Sequence, residues 1–491
     1  MKKKQAAIIG AGIAGLASAI RLRAQGHEVA VFEANNYPGG KLTAFEKMGY
    51  RFDMGPSLFT MPHLVEDLFK LAKIPMHKYF SYKKKKNICT YFFEDGTYFE
   101  APADEKEFAK KSAEIFDITE KELLNYLDKS KKKYDLTAPL FLEKSLHKTS
   151  TYLSKKTLKA AVNIGVLDLN KSLSSLNEKT FKDPRLVQFF NRFATYNGSS
   201  PYKTPGIMSM IPHLEQHYGT YFPVGGMHQI TLSLFNLAKE IGVKFEFNSP
   251  VDEIITQEKR VTGLLVNEKI IKADIVVSNA DIVPTYRRLL PKHKAPERTL
   301  SQPRSSSALI FYWGIKKTFP QLDLHNIFFS KNYQKEFEHI FEKQSVYDDP
   351  TIYLNISSKD APKDAPKGCE NWFTMINVPN NTGQDWDTVI ERSRTKIIDK
   401  LSRLLKQDIS ELIEQESILD PRTIESKTQS YQGALYGASS NNKFAAFLRH
   451  PNFKSNLQNL YFCGGSVHPG GGIPLCLLSG KIVADLIEKN E

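Results

Sequence analysis

Ala7-Ile8-Ile9-Gly10-Ala11-Gly12-Ile13-Ala14-Gly15, then an apolar run to Leu22, then Val29-Ala30-Val31-Phe32-Glu33: this stretch decides the fold. It predicts a strand, a Gly-x-Gly-x-x-Gly turn, a helix and a second strand ending in an acid, the βαβ unit that holds a dinucleotide. Gly10 allows the tight turn, Gly12 lets the backbone approach a pyrophosphate, and Gly15 lets the helix pack close to the sheet. Ala14 lies in the helix's first turn, where free N–H groups and the positive dipole end favour phosphate. Glu33 follows Gly15 by 18 residues, where an acid that binds ribose is expected. A secretory leader is the competing reading: Lys2-Lys3-Lys4 would be its charged start and Ala17-Ser18-Ala19 its cleavage site. Cleavage there would discard all three glycines and orphan the strand ending at Glu33. A βαβ unit without a ligand would not need three glycines at this spacing.

Outward from this unit come Gly39-Gly40-Lys41 and Tyr50-Arg51-Phe52-Asp53-Met54-Gly55-Pro56-Ser57. An amphipathic helix is predicted over 61–74, and short strands over 88–100 turn at Asp95-Gly96. Residues 104–200 read as mainly helical. Thr119 and Glu122 form a capping box there, with Ile118 and Leu123 as a hydrophobic staple. A helix over 152–166 mixes leucines with lysines and suits an interface. Tyr221-Phe222-Pro223-Val224-Gly225-Gly226-Met227 then leads into a helix over 230–241, with strands over 243–247, 251–255, 261–266 and 273–277. Further strands are predicted over 308–315, 352–356 and 373–378, and a helix over 386–405. Near the end, Leu460-Tyr461-Phe462 enters Cys463-Gly464-Gly465-Ser466-Val467-His468-Pro469-Gly470-Gly471-Gly472-Ile473-Pro474, and an apolar helix over 475–487 leaves it. Five glycines in nine residues exceed what a plain turn requires.

With 491 residues and 41% hydrophobic content, the chain has room for two or three domains and a large core. Its four cysteines form no C-x-x-C pair, which excludes a disulfide framework and a dithiol flavoenzyme and fits a reducing cytoplasm. A net charge of +13, with lysine runs at 83–86, 131–133 and 155–156, reads as a solvated surface or as a face for anionic lipid. No zinc-finger or RNP pattern supports nucleic acid as a partner. No apolar run reaches the about 18 residues needed to span a bilayer, so any membrane contact is expected to be peripheral or monotopic.

Together these segments resemble the carotenoid (phytoene-type) desaturases of the flavin amine oxidase superfamily. The match covers nearly the whole chain. It is strongest over Gly10 to Glu33, Gly39-Gly40 and Phe52 to Ser57, over Phe222-Pro223-x-Gly225-Gly226-Met227 with Asn279-Ala280-Asp281, and over Tyr461 to Pro474. The resemblance implies that the dinucleotide is FAD. Gly10, Gly12, Ala14 and Gly15 would hold its pyrophosphate and Glu33 its adenosine ribose. Gly39, Gly40 and Lys41 would pass the ribityl chain and phosphate, Gly55, Pro56 and Ser57 would also bind the cofactor, and Val251 would lie by the adenine. Gly464, Gly465, Gly472 and Ile473 would hold the pyrophosphate and flavin ring. Lys41 stands where the family usually has arginine, which replaces a planar fork by a point charge. That wording resembles the hydroxycarotenoid 3,4-desaturase branch. The expected activity is 3,4-desaturation of a 1-hydroxycarotenoid; phytoene desaturation and another flavin amine oxidase-type oxidation are the alternatives.

The implied fold class is α/β. A Rossmann-like FAD-binding domain would be assembled from 1–75, 220–285 and 450–491. An α+β substrate domain would come from 88–103 and 286–449, and a helical membrane-associating region from 104–219. Desaturation removes a hydride and a proton beside a conjugated polyene, which delocalises the charge left between the two losses, so it needs neither a strong acid–base dyad nor a metal. His468 is tempting as a base, but a structural role in the turn is the better reading, and Cys463 reads as a buried small residue. With no second Gly-x-Gly-x-x-Gly for a nicotinamide, oxygen or a quinone is the expected electron acceptor. The expected location is the cytoplasm, peripherally on the inner membrane.

Overall fold

Strand β1 (Gln5–Ile9) ends at Gly10, where a φ of 91° turns the chain into helix α1 (Ile13–Ala24). The chain returns as β2 (Glu28–Phe32). The computed structural model describes residues 3–152 and 164–490. β1 is the middle of a five-stranded parallel sheet with the order Leu460–Phe462, Ile275–Ser278, β1, β2, Lys244–Glu246. Its strands come from three distant parts of the chain. Both faces are covered, so Ala6, Ala7, Ile8 and Ile9 are all buried.

On one face, α1 meets the last helix, Ile473–Lys489, at backbone distance. A Cβ on Gly480 would stand 3.0 Å from both the Ala14 carbonyl and the Ala17 methyl. Small residues on both helices make this approach possible. The last helix begins at Ile473, two residues before the expected 475, because Gly472 (φ 103°) precedes it and Pro474 fits its first turn.

A second sheet has seven strands in the order Ile413–Leu419, Ser307–Ile315, Glu370–Val378, Ile352–Ile356, His325–Phe328, Asn87–Phe92, Tyr98–Pro102. Every residue of Ser307–Ile315 is buried. An antiparallel hairpin, Thr43–Lys47 with Tyr50–Met54, joins the two sheets. Its turn residues Met48 and Gly49 both have positive φ, as a two-residue hairpin requires, yet Met-Gly is a weak signal for it. The Tyr50 ring fills the space over Gly314, where a Cβ would sit 2.5 Å from it. On the other side, Asp53 accepts the N–H groups of Met227 and His228 (2.8 and 2.9 Å) and so caps helix His228–Glu240.

Helix Glu120–Phe141 opens with the expected capping box: Thr119 Oγ1 accepts from the Glu122 N–H (3.2 Å), and Glu122 Oε2 accepts from the Thr119 N–H (2.9 Å). The lysine run inside this helix is not a uniform solvated face. Lys133 is buried, 2.8 Å from Asp168, and donates to Ser209 Oγ at 2.6 Å. Likewise Lys85 of the 83–86 run folds onto Asp360 at 2.5 Å. The helix expected over 152–166 falls largely outside the described residues; within them Thr149–Tyr152 is one helical turn and Ile164–Leu167 a 3₁₀ turn. Among the described residues no helix is long and apolar enough to cross a membrane.

Widening the α1 contact tests this packing. Gly480→Val inserts methyl groups where a Cβ already touches backbone and is expected to destabilise the fold by about 1–3 kcal/mol. A lower thermal unfolding midpoint is the check; an unchanged one would refute the close contact.

Candidate active site

One cavity of about 1140 Å³ runs from the glycine turn after β1 to the seven-stranded sheet. It exceeds the about 300–1,000 Å³ usual for one ligand, as expected if a cofactor and a substrate share it. Of the residues assigned to the cofactor from sequence, all but one line this cavity: Gly10, Gly12, Ala14, Glu33, Gly39, Gly40, Lys41, Gly55, Pro56, Ser57, Val251, Gly464, Gly465, Gly472 and Ile473. Gly15 does not. A Cβ there would lie 2.1 Å from the Gly10 carbonyl, so Gly15 closes the turn on itself and faces away from the cavity.

Glu33 joins β2 to the glycine turn. One carboxylate oxygen accepts the Ala11 N–H (2.7 Å); the other accepts the Asn35 N–H and Nδ2 (2.9 and 3.0 Å). The oxygen that accepts from Ala11 keeps a lone pair for a further hydroxyl. Gly39 donates its N–H to the Ala11 carbonyl (2.9 Å), which lays the second glycine pair along the first turn. Asn279 then ties in the distant turn. Its N–H donates to the Ile9 carbonyl (2.8 Å) and its Nδ2 to the Gly10 carbonyl (3.4 Å), and a Cβ on Gly464 would collide with its Oδ1 at 2.7 Å. Asn279 stood in a quoted motif without a role; contact with both turns gives it one.

Two helix N-termini, those of α1 and of Ile473–Lys489, open on this region with no side-chain cap. Uncapped N–H groups and glycines without Cβ atoms fit the pyrophosphate of a dinucleotide. Lys41 Nζ donates to the carbonyls of Ala434 (3.1 Å) and Leu435 (3.0 Å). Burial pushes its ammonium down, with Asp281 opposing. Gly55 sits so close to the Lys41 carbonyl that a Cβ would be 2.0 Å from it. That contact fixes the loop bearing Ser57 beside Lys41.

Beyond this loop the lining divides. Residues such as Leu140, Ile207, Met210 and Leu214 form apolar walls contributed by the helical segment. The sheet contributes three polar residues that sequence reasoning missed, Tyr353, His325 and Asn355, and they meet Ser57, which the sequence had assigned to the cofactor. Ser57 Oγ lies 2.8 Å from Tyr353 OH, which lies 2.7 Å from His325 Nδ1. Asn355 Nδ2 also reaches Nδ1 (3.2 Å) and donates to the Leu324 carbonyl (3.0 Å). Nδ1 offers one hydrogen or one lone pair to these two neighbours, and Nε2 is buried without a partner among the described residues. Nearby, Arg192 pairs with Glu215 at 3.1 Å and lies over the Phe193 ring at 4.6 Å. Burial pushes the Glu215 carboxyl up, with Arg192 opposing. No local pattern marks these residues, because separate strands and helices bring them together.

His468 lines the cavity, but its Nε2 donates to the Lys144 carbonyl (2.8 Å) and burial pushes it down to about 4. Cys463 is fully buried away from the cavity, and burial raises its thiol to about 12, so it is inert.

A dinucleotide cradle opening into an apolar chamber defines an oxidoreductase that acts on a lipophilic or amphiphilic molecule. The profile of the flavin containing amine oxidoreductases matches residues 13–488. A 1-hydroxycarotenoid 3,4-desaturase of Flavobacterium sp. (strain P99-3) is 60% identical over 484 residues, 99% of each chain. A 4,4'-diaponeurosporene oxygenase of Staphylococcus aureus (strain MSSA476) is 34% identical over 495 residues, again 99% of each. Putrescine oxidase bound to putrescine superposes with a TM-score of 0.64 at 16% identity over 99% of each chain. Cyclohexylamine oxidase from Brevibacterium oxydans superposes with a TM-score of 0.62 at 16% identity, covering 100% of this chain and 99% of that one. The chain belongs to the flavin containing amine oxidoreductase family, and its mixed α/β architecture is the fold of that family. Its cofactor is FAD, which the uncapped helix ends and glycine cradle fit.

Burial makes an acid prediction. It pushes His325 from 6.5 to about 3, and His213, His450 and His468 to about 4. The unfolded chain would protonate these rings near 6.5, so through them it binds more protons than the folded one between pH 6.5 and 4, and their share of stability is lost as pH falls through that window. Burial pushes the Glu336 carboxyl up to about 7, which opposes them over the same range. His325→Gln is expected to raise the unfolding temperature at pH 5 relative to that at pH 7.5; an unchanged difference would contradict a neutral buried ring.

Proposed function

We propose that this chain is an FAD-dependent carotenoid desaturase that introduces the 3,4 double bond into a 1-hydroxycarotenoid. The observation that carries the reading is the single cavity joining the glycine cradle to an apolar chamber. The 60% identity to a 1-hydroxycarotenoid 3,4-desaturase supports the choice of substrate.

In this reading the parallel-sheet segments 1–75, 220–285 and 450–491 form the cofactor domain. Gly10, Gly12, Ala14 and the N-terminus of α1 receive the pyrophosphate. Glu33 receives the ribose, and Val251 borders the adenine. Gly39, Gly40 and Lys41 follow the ribityl chain, and Gly464, Gly465, Gly472 and Ile473 lie against pyrophosphate and ring. The sheet segments 88–103 and 286–449 and the helical segment 104–219 enclose the polyene. Bound flavin supplies a two-electron acceptor for hydride leaving the carbon next to the polyene. The chain orients that carbon, excludes water with its apolar walls, and leaves the adjacent C–H proton to a weak base. Two electrons and two protons leave the substrate in total, and oxygen or a quinone takes the electrons.

Anaerobic mixing with a 1-hydroxycarotenoid is expected to bleach the flavin and extend the chromophore, with recovery on adding oxygen or a quinone. Persistence of the oxidised flavin spectrum, or turnover only with NAD, would overturn the reading. Phytoene supplied in place of the hydroxylated carotenoid is the control for the other desaturase activity.

A carotenoid resides in the bilayer, so the enzyme must reach it. The net charge of +13 supports docking on anionic lipid at the inner membrane. Co-sedimentation with anionic vesicles at low salt, weakened at high salt, is expected; no binding at low salt would refute electrostatic docking.

A further inference from the structure

We propose that Ser57 and Tyr353 read the tertiary hydroxyl of the substrate, with Ser57 Oγ accepting its hydrogen. The inference rests on the substrate named above and adds the residues that select it.

The demand comes from the cavity. A 1-hydroxycarotenoid is hydrocarbon except at one oxygen, and the walls from the helical segment are apolar. A hydroxyl buried there without a partner loses its bonds to water and gains none in return. A chamber that prefers the hydroxylated molecule therefore needs a polar group with unused capacity.

Most polar side chains in the lining already have partners. Arg192 and Glu215 neutralise each other. Lys41 donates to two backbone carbonyls, and His468 to another. The Ser57–Tyr353–His325 chain differs because it ends in an oxygen with capacity to spare. Tyr353 OH lies between Ser57 Oγ and His325 Nδ1. Whichever way the Tyr353 hydrogen points, Ser57 Oγ keeps at least one lone pair. The chain therefore ends able to accept from a hydroxyl donor. Burial holds His325 uncharged, so the array suits an alcohol better than a carboxylate.

Position agrees with chemistry. The hydroxyl is on C1, two bonds from C3 and three from C4, the two carbons that lose hydrogen. Its reader must therefore stand beside the cofactor cradle and not at the far end of the chamber. Ser57 follows Gly55 and Pro56 on the loop held against Lys41, and Tyr353 reaches it from the sheet. Both are positioning residues, and the reacting bond need not touch either.

The test compares kcat/KM for a 1-hydroxycarotenoid and its 1-deoxy analogue, per bound flavin. Wild type is expected to prefer the hydroxylated substrate by about 100-fold or more, as sites built for a hydroxyl do. Tyr353→Phe keeps the ring and removes only the oxygen; it is expected to lower that ratio about 10- to 100-fold, the loss falling on the hydroxylated substrate. Ser57→Ala should do the same, and Ser57→Thr, which keeps the acceptor, should restore the preference. If Tyr353→Phe does not retain flavin, the Ser57 pair decides. Equal losses on both substrates, or an unchanged ratio, overturn this inference alone. A wild-type enzyme inactive on the hydroxylated carotenoid overturns the substrate reading, and the inference with it.

Discussion

Asn279 holds two glycine turns together, and the site depends on it. Its backbone continues the sheet from Ile9, its amide nitrogen reaches Gly10, and its amide oxygen fills the space over Gly464. Only a short, planar side chain with a donor and an acceptor can do both. The turns are otherwise separated by more than four hundred residues of chain. Around this contact the small residues of α1 and Gly480 let two helices approach, so both helix ends point into one space.

The part of the site that holds the cofactor was legible in sequence because its demands are local. A turn needing positive φ must be glycine at Gly10, and a strand, helix and strand in register around it leave a periodic trace. The capping box at Thr119 and the helix Trp386–Leu405 were legible for the same reason. The spacing also marks Gly15 as the glycine of close packing, and it does lie against the Gly10 carbonyl.

The substrate side was less legible. Strands His325–Phe328 and Ile413–Leu419 and the hairpin partner Thr43–Lys47 were missed: each is short and flanked by weak turn signals. Tyr353, His325, Arg192 and Glu215 meet only through tertiary packing, and no spacing encodes that meeting. Charge was overread where it was most concentrated. A lysine run looks solvated until one member, Lys133, is buried against a half-buried carboxylate, Asp168.

A cradle divided between Gly10 and Gly464 also sets a timetable. During synthesis the first βαβ unit can form early, but two strands of its sheet, Ile275–Ser278 and Leu460–Phe462, emerge much later. Such long loop closures come late and slowly. Until then α1 lacks the helix that covers it, and its apolar face stays open to wrong partners. Flavin cannot find both halves of its site before the last turn is made. The nascent chain therefore passes most of its synthesis without the ligand that stabilises it, and the cofactor arrives as the final clamp on a fold already closed around it.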